Sequence, residues 1–174
     1  MSCASLSLAA LDSRCDTSTG GVKEVYIGAF GDLTPGTPSA GLISALTLAG
    51  SKLVIFRFRK GAATMEATAN IDADNGSAYV TTTIAMNFTK MESAKRVQIQ
   101  ALIAGGAMCI VLDNNGKYWL LGYDAPLDCS AAGGSTGTAW SDANQYTITL
   151  TDTSRELPFE VAGTAITSSV IDDL

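Results

Sequence analysis

Hydrophobic and polar positions alternate along most of this chain with a period of two, the signature of half-buried strands. The alternation is clearest between Ala63 and Phe88. Met65, Ala67, Ala69 and Ile71 alternate with Thr64, Glu66, Thr68 and Asn70; then Val80, Thr82, Ile84, Met86 and Phe88 alternate with Tyr79, Thr81, Thr83, Ala85 and Asn87. Asp74-Asn75-Gly76 between them supplies the positive-φ residues of a tight reversal, so the segment predicts a long hairpin with one apolar and one polar face. Asp72 and Asp74 lack the third acid and the closing Glu of a calcium loop.

Thr89-Lys90-Met91-Glu92 matches a capping box and predicts a helix opening at Thr89 and ending at Gly105-Gly106. On a helical wheel Met91, Ala94, Val97, Ala101 and Leu102 form one stripe. Ile99 and Ile103 fall on the other side, where an overlying loop or a neighbouring subunit would have to cover them. A second hairpin is expected from Ala107 to Tyr123 around Asn114-Asn115-Gly116, with Cys109 in its apolar first strand.

The flanks read less regularly. Residues 1–21 form an N-terminal arm that needs a partner to become ordered, and 22–174 a single β-rich domain. Val22 to Phe30 reads as a strand, 31–41 as a loop whose Pro35 and Pro38 cannot donate to a ladder, and 42–48 and 53–59 as further apolar runs. Phe56 and Phe58 alternate with Arg57 and Arg59, so the cations there, with Lys60, read as a solvated face or an inter-subunit ion pair before a phosphate contact. A long loop, 124–144, is rich in small residues and carries Trp140. Residues 145–151 and 157–171 read as closing strands.

Composition narrows the function. The chain has 174 residues and a net charge of −6, and residues 98–174 hold two cations against nine acids. That acidity favours solubility, would repel phosphates and disfavours tight DNA binding. No histidine is present to act as base or ligand, and no Gly-rich loop precedes a helix in the manner of a phosphate cradle. Paired carboxylates meet only in space, which leaves an enzyme as the last reading. No catalytic, cofactor-binding or metal residues are therefore assigned, and no cofactor is expected. Cys3, Cys15, Cys109 and Cys129 have no zinc spacing. A Cys3–Cys15 disulfide is conceivable, but reduced thiols made in a cytoplasm are the expectation. The opening residues lack the basic region of a secretory signal and the length of a span, so no membrane anchor is expected.

The order KGAATMEATANIDADNGSAYVTTTIAMNFTKMESAKRVQIQAL, CIVLDNNGKYWLLGYDAPL and TGTAWSDANQYTITLTDTSRELPFEV resembles structural proteins of tailed bacteriophages, including crAss-like phages, over about residues 54–161. The resemblance implies a tail tube or tail-ring subunit: a mainly β, tail-tube-like fold, a β-sandwich or rolled antiparallel sheet with one flanking helix, and a long hairpin joining neighbours into a ring. It implies localisation in the virion tail after synthesis in the host bacterial cytoplasm. The implied partners are further copies of the chain, neighbouring tail or neck proteins, and genomic DNA that passes without specific binding during ejection. It carries no catalytic or cofactor residues. On this reading Thr64, Glu66, Thr68, Asn70, Tyr79, Thr81, Thr83 and Asn87 form the lumen face, and Ile99 and Ile103 a subunit interface. A head-tail connector or neck component is the nearest alternative. A secreted or surface β-sandwich binding module, recognising its target through 124–144, is the alternative of a different class.

Overall fold

The computed structural model describes Leu11, Ser13 and residues 15–172. In chain order its elements are β1 (Val22–Ala29), β2 (Leu33–Pro35), β3 (Leu42–Ile43), β4 (Leu46–Leu48), β5 (Leu53–Arg57), β6 (Ala63–Asp72), β7 (Ser77–Thr89), α1 (Ser93–Ala104), β8 (Ala107–Asp113), β9 (Tyr118–Leu121), β10 (Asp128–Ser135), β11 (Gln145–Ser154), β12 (Phe159–Val161) and β13 (Ile171–Asp172), with a 3-10 turn at Gly163–Ala165. Among the described residues the strands form a seven-stranded sheet, β13-β5-β1-β8-β9-β12-β3, a four-stranded sheet, β10-β11-β7-β6, and a two-stranded ribbon, β2-β4. The fold is mainly β and sandwich-like, with one helix among the described residues.

Two apolar cores explain the layering. The inner face of the four-stranded sheet, with Ile84, Met86, Phe88, Ile148 and Leu150, packs with Ile99 of α1 against Val25, Ile27, Cys109 and Val111 of the larger sheet. The opposite face of the larger sheet, with Tyr26, Met108, Ile110, Leu112 and Leu120, is covered by Leu33, Leu46, Ile166 and Val170. Each fully buried Leu, Ile or Val contributes about 1.5–3 kcal/mol relative to exposure. β8 has a core on either face, which explains its unbroken apolar run. Among the described residues the outer face of the four-stranded sheet has no such cover.

Both expected hairpins are present at their Asn-Gly turns. Gly76 and Gly116 adopt φ of +68° and +81°, a region in which a side chain is strained. Five expectations need correction. The helix opens at Ser93, because Thr89 is still paired with Gln145 in the sheet and Lys90 takes a φ of +67° that no helix tolerates. The segment 31–41 contains β2, whose Pro35 lies in a two-stranded ribbon where each strand has a free edge. The apolar run 42–48 is split into β3 and β4. The loop 124–144 contains β10, paired along its length with β11. The run 157–171 is β12, the 3-10 turn and the start of β13 rather than one strand. Of the N-terminal arm, Thr19 to Gly21 are fastened to the β8–β9 turn: Asn115 Oδ1 accepts the Thr19 N–H at 2.8 Å and Asn114 Nδ2 donates to the Gly20 carbonyl at 2.7 Å. Cys3, and with it any Cys3–Cys15 disulfide, lies outside the described residues; Cys15, Cys109 and Cys129 are free thiols.

Candidate functional site

The outer face of the four-stranded sheet brings together all eight residues expected on the polar side of the hairpin. Across the β6–β7 ladder Glu66 stands opposite Thr83, Thr68 opposite Thr81 and Asn70 opposite Tyr79, while Thr64 faces Ala85. Thr64, Glu66, Thr68 and Tyr79 are exposed; Asn70, Thr81, Thr83 and Asn87 are half-buried. β11 extends the same rows, with Thr147, Thr149, Thr151 and Thr153 opposite Asn87, Ala85, Thr83 and Thr81. These four threonines were not singled out from the sequence, although the strict Thr alternation from 147 to 153 is the signal that places them. The result is a hydroxyl-covered surface with little internal pairing: Asn70 Nδ2 donates to Thr81 Oγ1 at 3.0 Å and Thr151 Oγ1 to Ser130 Oγ at 2.9 Å. β6, β7, β10 and β11 contain no Lys or Arg, while Glu66 and Asp128 lie on this face. The surface is weakly acidic and without cations.

The same sheet has two open edges. Among the described residues the outer edges of β6 and β10 pair with no strand. β10 carries a bulge between Cys129 and Ala131, then runs exposed through Ala131-Ala132-Gly133-Gly134-Ser135. No charge or proline guards that stretch, the usual defences of a solvent-facing edge. All three ladders in the sheet are antiparallel, so its two edge strands run in opposite directions. The β6–β7 hairpin also outruns β11, whose pairing with β7 stops at Ser154 and Val80 while β6 and β7 continue to Asp72 and Ser77. Its tip is built from side chains: Asp72 Oδ1 accepts the Asp74 N–H at 2.9 Å, and Asn75 Oδ1 accepts the Ser77 N–H at 2.9 Å.

The two helix positions expected at a subunit interface separate. Ile99 is 6% exposed and belongs to the inter-sheet core, whereas Ile103 is 44% exposed. The correction has a geometric cause. With the helix docked through Ile99 and the half-buried Leu102, Val97 and Ala94 turn to solvent, so the Met91-Ala94-Val97 stripe is not the inward one. The helix entry is held from a distance: Asn144 Oδ1 accepts the Met91 N–H at 2.8 Å and the Asn144 carbonyl accepts the Lys90 N–H at 2.7 Å. Glu92 makes no cap hydrogen bond and instead meets Lys95 at 2.7 Å and Lys90 at 3.3 Å, which holds its carboxyl below the usual range.

Asp113, Asp152 and Cys109 are held within the fold by burial and hydrogen bonds. Burial raises the Asp113 carboxyl, but hydrogen bonds from Lys117 N at 2.9 Å, Trp119 Nε1 at 3.1 Å and Asn115 N at 2.8 Å outweigh it and leave the group below the ordinary carboxylate range. Between the sheets, Asp152 accepts the Gly122 N–H at 3.1 Å through Oδ2, while its Oδ1 and the Oγ1 of the facing Thr82 have no protein partner. Burial, partly offset by the Gly122 bond and reinforced by the Asp124 charge, pushes the Asp152 carboxyl up. Burial, with the nearby Asp152, also pushes the Cys109 thiol up, which makes it a core group rather than a nucleophile. Among the described residues no group of His, Cys, Asp and Glu is placed to hold a metal, and no helix is long and apolar enough to cross a membrane. No family model, curated protein or solved structure matches the chain.

Proposed function

We propose that this protein is a self-assembling structural subunit, a tail tube or tail-ring component of a bacteriophage virion, whose four-stranded sheet joins its neighbours into a closed barrel. The observation that carries this reading is a sheet that, among the described residues, has both edges open and one face bare and hydroxyl-covered. A strand edge left in water is a template for pairing, and pairing β6 of one copy with β10 of the next removes both edges at once. Because the sheet has four strands in strict alternation, that junction is antiparallel in every copy and the hydroxyl face stays on one side throughout. An odd number of strands would break the alternation at each boundary.

With the hydroxyl face turned inward, the wall of the channel hydrates DNA and offers no cation to hold a phosphate. At about 4.8 Å per strand each copy adds roughly 19 Å of circumference before tilt, so the diameter of a ring gives its copy number. Electron microscopy and light scattering of the purified chain test the reading, with closed rings of one diameter as the expected result. Hydrogen exchange should slow along β6 and β10 on assembly. A monodisperse monomer at high concentration, with no rings in the native particle, would overturn it.

A further inference from the structure

We infer that Trp140 is the anchor by which one copy grips the next, inserting into a groove between α1 and β5 of its neighbour; the inference rests on the ring reading above. Trp140 is fully exposed, yet the loop beneath it is tightly organised. Asp142 Oδ2 accepts the Thr138 and Ala139 N–H groups at 2.7 Å each, and the Asp142 N–H donates to the Ala139 carbonyl at 3.0 Å. Gly137 takes a φ of +70°, and a Cβ there would strike the Asp142 side chain. Asn144 fastens the far end of the loop to the entry of α1. A large aromatic presented on a fixed frame gives up little conformational freedom on docking, which is the character of an interface hot spot.

The receiving surface has the matching chemistry. Beside α1 run two adjoining grooves of about 370 and 230 Å³ that share Phe56 and Gln98. Phe56, Phe88 and Ile99 line the larger one, and Arg57, Glu92 and Lys95 stand among its lining groups. The Trp140 loop brings one acid, Asp142, and no cation; the groove's own cations are already paired, Arg57 with Glu24 at 3.5 Å and Lys95 with Glu92 at 2.7 Å, and the groove leads on through exposed Arg59 and Lys60 into β6. Strand register places the two features at the same end of the sheet within each copy. Ser135, where β10 enters the Trp140 loop, pairs with Gln145, Gln145 with Thr89, and Met86 of that strand with Ala63 at the start of β6. An antiparallel β6–β10 junction that continues this register brings the loop of one copy to the end of the neighbour's sheet where β5 passes into β6.

The chain has two tryptophans, Trp119 and Trp140, so subtracting the spectrum of Trp140→Phe isolates the anchor. On ring formation its emission should shift to the blue and its quenching by acrylamide fall several-fold. Trp140→Ala should raise the concentration for half-assembly about thirtyfold or more, the scale of a hot-spot truncation. Ala94→Trp, an exposed helix position lining the groove, should do the same by filling the receptor while leaving the monomer's melting unchanged. Rings that form at wild-type concentration with either variant, or in which Trp140 stays as quenchable as in the monomer, overturn the anchor while sparing the ring. Absence of rings from the wild-type chain overturns both.

Discussion

Replacing Thr82 by Val should stabilise this protein. Thr82 is 0% exposed, stands between buried Val80 and Ile84 on β7, and its Oγ1 has no protein partner. A hydroxyl desolvated without compensation costs about 1–3 kcal/mol in proteins, and valine fills almost the same space with a methyl that gains from burial. The expected gain is therefore about 1–3 kcal/mol. For a chain of this length each kcal/mol moves the melting temperature by about 2–4 °C, so a rise of several degrees should be visible. Urea titration followed by near-ultraviolet circular dichroism should show a higher midpoint with an unchanged slope. Thr82→Ser, which keeps the hydroxyl and leaves a methyl-sized gap, should instead cost about 1 kcal/mol. If the valine variant is less stable than the parent by 1 kcal/mol or more, the hydroxyl is bonded in the folded protein, through Asp152 or an internal water, and the argument fails.

Four further outcomes are expected. Asp152 has its folded pKa raised above the unfolded value, so the stability it contributes is full below about pH 4 and is lost as pH rises through the folded value. Asp152→Asn should thus gain on the parent as pH increases from 4 to 8, and a constant difference between their urea midpoints would refute this. Asn144→Ala should cost about 1 kcal/mol by freeing the Met91 amide, whereas Thr89→Ala should change thermal stability by less than about 0.5 kcal/mol; a larger loss at Thr89 would show that it caps the helix. Under native conditions iodoacetamide should modify exposed Cys15 and leave buried Cys109 untouched until the chain unfolds, as peptide mapping would report. Lysines at both Thr68 and Thr81, a facing pair on the outer surface, should leave rings intact but slow DNA passage at low salt, with relief as salt rises; normal passage at low salt would remove the lumen assignment.

Much of this architecture was legible because local chemistry and tertiary demand coincide. Asp74-Asn75-Gly76 and Asn114-Asn115-Gly116 need nothing distant to turn, and the alternation from Met65 to Phe88 places each side chain on the face it occupies. The helix start is not legible in the sequence because Thr89 and Glu92 have capping-box spacing, yet Thr89 is claimed by a strand more than fifty residues away. β10 is silent in the sequence because Ala131-Ala132-Gly133-Gly134 has no alternation; small side chains at an edge form a strand only because β11 offers its backbone. Of the candidate surface, the eight hairpin residues were readable from period two. Its open edges were not, since an edge is defined by the absence of a partner and no residue type encodes that.

The placement of β8 between two cores bears on how the chain is made. Alternate residues of β8 complete opposite cores, Cys109 and Val111 on one side and Ile110 and Leu112 on the other, so neither closes before this strand arrives. Its long-range partner β1 leaves the ribosome about 80 residues earlier, an interval of about 4–16 s at ordinary synthesis rates. β5 follows soon after β1 and can shelter one of its edges, through the Glu24–Arg57 to Ile27–Val54 ladder. The other edge, flanked by Val25, Tyr26 and Ile27, waits uncovered for that whole interval. The nascent chain is therefore most exposed to aggregation and to chaperone capture between the emergence of Ala29 and that of Asp113, and a pause in translation within that window lengthens the risk.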